Sequence, residues 1–149
     1  MAYLTANQLA DYLLCEARYR GEALTHLKLQ KLCYYAQAWW LALHGEPLIE
    51  EDFQAWVHGP VLTSQFGRFR DYRWQPIVHQ VPRPEVPEGV RTHLDEVMDV
   101  FGVESAVALE RMTHEEAPWL EARGELPPHE ASRNVIRKET MQSFYASLN

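Results

Sequence analysis

Cysteine is scarce in this 149-residue chain: Cys15 and Cys33 are the only two. They form no C-x-x-C pair and have no histidine at zinc-finger spacing, so the composition excludes a disulfide framework and suits a reducing compartment. The seven glycines stand singly, which leaves no glycine-rich loop to cradle a phosphate. No apolar run reaches the roughly 20 residues of a membrane span, and the first eight residues lack the basic-then-apolar layout of a secretory signal. A cytoplasmic location is expected. Basic side chains are the minority, 14 against 21 acidic, for a net charge of -7. They are also scattered: Arg18 and Arg20, then Arg68, Arg70 and Arg73 around Asp71, then Arg133, Arg137 and Lys138. A phosphate-backbone binder carries a basic face, so nucleic-acid binding is disfavoured, and an acidic protein suits a basic partner.

Catalytic patterns are missing as well. The seven histidines, at 26, 44, 58, 79, 93, 114 and 129, include no i, i+4 pair. His114-Glu115-Glu116 lacks the second histidine of a zinc-protease helix. Ser64 and Ser105 lie outside any Gly-x-Ser-x-Gly elbow, and Cys33 falls within an apolar helical stripe. No catalytic, cofactor-binding or metal-binding residue is assigned, and the chain is read as a non-enzyme.

What the chain does have is a hydrophobic fraction of 46% with five Trp and seven Tyr. Its length is enough to bury a core without cross-links and fits one domain over 1–149. Thr5-Ala6-Asn7-Gln8 is a capping-box pattern opening a helix that stops at Gly21. A second helix is expected from Thr25 to His44, capped by Gly45, with a stripe of Leu29, Leu32, Cys33, Ala36, Trp39, Trp40 and Leu43 wide enough to make it central. Residues 52–58 read as a short extended piece ending at Gly59-Pro60, and a short helix is expected from Pro60 to about Arg70. The proline-rich stretch Tyr72 to Pro87 reads as a loop with a strand at 75–81 that pairs with 52–58. Helices follow after Pro87 and from Ser105 to Met112. Thr113-His114-Glu115-Glu116 reads as a second capping box closed by Pro118-Trp119, and a last amphipathic helix carries Val135, Ile136, Met141, Phe144, Tyr145 and Leu148. The fold class is mainly α, a compact helical domain with a minor β-ribbon.

Three ordered blocks carry a family resemblance. The first is Leu29-Gln30-Lys31-Leu32 with Tyr34-Tyr35-Ala36-Gln37 and His44-Gly45. The second is Ala55-Trp56 leading to Gly59-Pro60-Val61, and the third is Thr113-His114-Glu115 with Pro118-Trp119 and the helix after it. Together they resemble the Panacea domain family of SocA-like antitoxins and phage-associated GepA-like proteins, over nearly the whole chain. The signature positions are Lys31, Tyr35, Gly45, Trp56, Gly59, Pro60, Val61, His114, Pro118 and Trp119.

The resemblance implies an antitoxin that neutralises a toxin encoded nearby by direct protein–protein binding. In SocA-like members it also implies a proteolytic adaptor that delivers the toxin to a bacterial protease. With no further domain ahead of it, the Panacea domain is expected to do the neutralising itself. Trp56, His58, Tyr72, Trp74 and Trp119 are the candidate partner-binding residues, because aromatic side chains in loops and turns are common interface anchors. Two alternatives come from other classes: a DNA-binding autoregulator of its operon, and a hydrolase using His58 and His114.

Overall fold

The computed structural model describes residues 2–149. Seven helices and a small three-stranded antiparallel sheet make it mainly α, as the sequence pattern predicts. Helix α1 (Ala6–Tyr19) opens with the expected capping box, Thr5 and Gln8 satisfying each other's backbone N–H groups. Helix α2 (His26–His44) follows, with Thr25 as its N-cap and Gly45 as a left-handed C-cap at φ 73°.

Helix α2 is the axis of the fold. Fourteen of its 19 residues are buried, so it lies enclosed rather than on a surface. It packs against α1, α3 (Thr63–Phe69), α4 (Glu88–Val100), α5 (Ala106–His114) and α7 (Lys138–Leu148). Polar residues on this enclosed helix reach out to neighbouring backbone, which meets the demand that buried polar groups be paired. Gln37 Oε1 accepts from the Leu48 and Ile49 N–H groups at 2.8 and 3.1 Å. Gln30 Oε1 accepts from Leu62 N at 2.7 Å while its amide donates to Leu62 O. Two loops are thereby tied to the core.

The sheet differs from the expected ribbon. Strand β1 (Phe53–Trp56) turns through Val57 and His58 into β2 (Gly59–Val61), with Ala55 opposite Pro60 and Trp56 opposite Gly59. Its other edge pairs with β3 (Val135–Ile136), giving the order β2-β1-β3. Pro60 therefore sits in an edge strand, where its missing N–H costs no ladder bond, and the following helix starts only at Thr63. Val135 and Ile136 belong to β3 and not to the last helix.

Residues 75–81 form no strand. Pro76 makes one isolated bridge to Thr25, and the segment crosses α1 instead, with Ile77 N donating to Leu24 O and Cys15 Sγ to Val81 O. Pro76 has no N–H to give a ladder, and Pro82 and Pro84 follow directly after the segment. The second capping box is also absent. Thr113 lies in the last turn of α5, where its hydroxyl donates to Glu110 O, and α6 (Ala117–Arg123) starts from Glu116 with no side-chain cap.

Candidate functional site

The β1–β2 turn is braced from beneath by three side-chain donors. Lys31 Nζ donates to Pro60 O at 3.2 Å, Trp119 Nε1 to Trp56 O at 2.8 Å, and Arg123 Nη1 to Ala55 O at 3.0 Å. Gly59 is held at φ 108°, and a Cβ there would lie 2.5 Å from Lys31 Cε and 3.0 Å from Thr113 Oγ1. Glycine is required at this position both for its backbone conformation and for the close approach of Lys31.

Lys31 is fully buried. Desolvation brings its ammonium down to about 7, against the opposing pull of Glu110. His114 stacks on Trp119, with ring centroids 4.2 Å apart. Burial lowers its pKa, and its Nε2 has no hydrogen-bond partner among the described residues.

Above this brace, between the turn and the stretch from α3 to Trp74, lies a cleft of ≈ 770 Å³. Its apolar wall includes Trp56, Val61 and Phe66, with the Trp56 and Phe66 rings 4.8 Å apart and edge-on. Trp56 Nε1 donates to Gln54 Oε1, which fixes the ring. His58 and Trp74 face each other across the mouth, centroids 6.1 Å apart and planes nearly perpendicular. His58 Nδ1 lies 3.3 Å from both carboxylate oxygens of Glu110. Trp74 is 68% exposed, a large apolar surface left uncovered. Arg70, Arg73 and Arg133 also belong to the lining.

The five candidate partner-binding residues separate by position. Trp56, His58 and Trp74 line the cleft together. Trp119 is buried beneath it and holds the Trp56 carbonyl. Tyr72 lies outside the lining, half-buried, where its hydroxyl accepts from His79 N.

Most of the signature residues gather on the brace. Lys31, Gly59, Pro60, Val61, His114, Pro118 and Trp119 pack around the turn, and Tyr35 anchors α6 from α2 by donating to Glu116 Oε1 at 2.7 Å. Tyr145 donates to the same oxygen at 2.7 Å, so the single proton of Tyr34 goes to the Tyr145 oxygen. Burial raises the Glu116 pKa while the two hydroxyls oppose that rise. Gly45, the remaining signature glycine, caps α2 away from the turn.

Sequence reasoning overlooked Arg123, Glu116 and the cleft arginines. Arg123 is buried and serves four carbonyls, including those of Pro127 and Glu130. No motif marks such a residue, since its partners are backbone atoms. Among the described residues, no group of three or more His, Cys, Asp or Glu is placed to hold a metal ion. No helix among them is long and apolar enough to cross a membrane.

The family model described as "Antitoxin SocA-like, Panacea domain" matches residues 29–120, which include Lys31 and Trp119 of the brace and the turn that they hold, with Arg123 just beyond. Antitoxin SocA of Caulobacter vibrioides (strain NA1000 / CB15N) is 26% identical over 127 residues, covering 76% of this chain and 68% of that protein. No solved structure matches the chain.

Proposed function

The chain belongs to the SocA-like Panacea domain family, and on that premise we propose that it is an antitoxin that binds a cognate protein toxin directly and masks its active surface. The match over 29–120 carries this reading, and the likeness to Antitoxin SocA supports it. The cleft is the proposed toxin-facing surface. Trp56, Trp74 and His58 offer aromatic anchors around a concavity whose floor is rigidly braced. Preorganised aromatic and arginine side chains are the usual dominant contributors to a protein interface.

The gene beside this one is the proposed toxin gene. Its product should arrest growth when expressed alone and be harmless when this protein is co-expressed, and the two should co-purify. A harmless neighbour that fails to co-purify would overturn the antitoxin reading. A bacterial protease is proposed as a second partner, on the adaptor role that the family resemblance implies. In that case the toxin's half-life in the cell should shorten when this protein is present, and an unchanged half-life would remove the protease from the scheme.

A further inference from the structure

The cleft carries a charge opposite to that of the molecule around it. Acidic side chains outnumber basic ones 21 to 14 across the chain. Yet no Asp or Glu lines the cleft, while Lys31, Arg70, Arg73 and Arg133 do. Among the described residues, none of those three arginines makes an ion pair, although nearby Arg68 is paired with Asp11 at 2.7 Å. Glu110 is engaged with His58, and Asp71, although it follows Arg70 in the chain, neither lines the cleft nor pairs with any of the three arginines.

The neutral groups point the same way. Gln30 Oε1 is taken by Leu62 N, so its amide nitrogen faces His26 Nε2 at 3.0 Å, and that ring nitrogen must accept. The His26 proton then resides on Nδ1, leaving another donor on a residue that lines the cleft. His26 and Leu27 are also the first turn of α2, the positive end of the longest helix, with no acidic residue in that turn to offset it. At the floor, the buried Lys31 amine makes one hydrogen bond, to Pro60 O, and has at least one further hydrogen to donate.

We propose, building on the antitoxin reading, that this cleft receives an acidic, aromatic-bearing peptide segment of the toxin, its carboxylates on Arg70, Arg73 and Arg133 and its large apolar side chain against Trp56, Phe66 and Trp74. Guanidinium groups match carboxylates in a two-pronged geometry and stack on aromatic faces, and unpaired arginines can do this without first breaking an internal ion pair. The apolar wall and the cationic rim ask for both features in one ligand. A peptide segment suits a half-open cleft lined by no glycine better than a nucleotide, whose phosphates call for close backbone approach.

The test is calorimetric titration of the full chain with the neighbouring gene's protein, carried in an inactivated form, at low and high salt. The proposal expects wild-type binding that weakens at high salt. It expects a loss of at least about 100-fold for R70E/R73E/R133E, because like charges would then face each other. R133E alone, far from Arg70 and Arg73 in the chain, and W74A should each weaken binding, with melting curves like wild type. These exposed residues give both a folded control. Binding by the charge-reversed protein close to that of wild type would overturn this inference and leave the antitoxin reading standing. Absence of wild-type binding would overturn both. If ATP binds the free protein through these arginines while toxin binding survives their reversal, the cleft is a nucleotide site and the inference also fails.

Discussion

At the scale of single residues, the buried amine of Lys31 sets a measurable pH dependence. In the unfolded chain its ammonium titrates near 10.5, in the folded protein near 7, so between those values the unfolded state holds more protons. Stability gained from this group is therefore complete above the upper value and is lost as pH falls toward 7. Cys15 and Cys33, whose pKa values burial raises above their ordinary 9.0, act in the opposite sense only at more alkaline pH. Urea denaturation should show rising stability from about pH 7 to about pH 9, and Lys31→Met should flatten that rise. An unchanged slope in the variant would assign it elsewhere. His26 adds a second slope of the same sign at lower pH, since its folded pKa is about 4 against an ordinary 6.5. Gly59→Ala places a Cβ against Lys31 and forces a left-handed backbone, and should cost roughly 1–3 kcal/mol in the same assay. A near-neutral effect would mean that the turn can relax away from the lysine.

At the scale of elements, α1 and α2 were legible because each carries its own local signals: a capping box in one, a glycine stop and a wide apolar stripe in the other. Strand β1 was legible from the loose alternation over 52–58, but the two shorter strands were not. β2 is three residues long and contains a proline, so Gly59-Pro60 carries the same local signal as a helix start. β3 is two residues long and exists only because β1 leaves an edge open to it. Thr113 and Glu116 fit a capping pattern, but tertiary packing draws Glu116 to Tyr35 and Tyr145. That cluster joins α2, α6 and α7, and Tyr145→Phe removes its central hydroxyl. The expected cost is about 1–2 kcal/mol, measured by denaturant unfolding. The effect should be less than additive with Tyr35→Phe, since both hydroxyls serve one carboxylate oxygen. Full additivity would show that the two act independently.

At the scale of the whole molecule, the net charge and the charge of the cleft differ in sign. A total of -7 suggests a basic partner, and the acidic exterior remains compatible with one. The cleft nevertheless concentrates Arg70, Arg73 and Arg133, residues far apart in the chain that only the fold brings together. Trp56 and His58 could be singled out beforehand because they flank a conspicuous turn; the arginines could not, having no spacing pattern of their own. The signature residues, by contrast, mostly build the brace beneath the cleft, so they mark the family through the fold they hold. Hydrogen–deuterium exchange on the complex with the neighbouring gene's protein tests most directly whether this cleft is the toxin-facing surface. Slowed exchange at residues 56–60, 66–74 and 131–133 on binding is the predicted result; protection confined to other surfaces, with these segments exchanging as in the free protein, would contradict it.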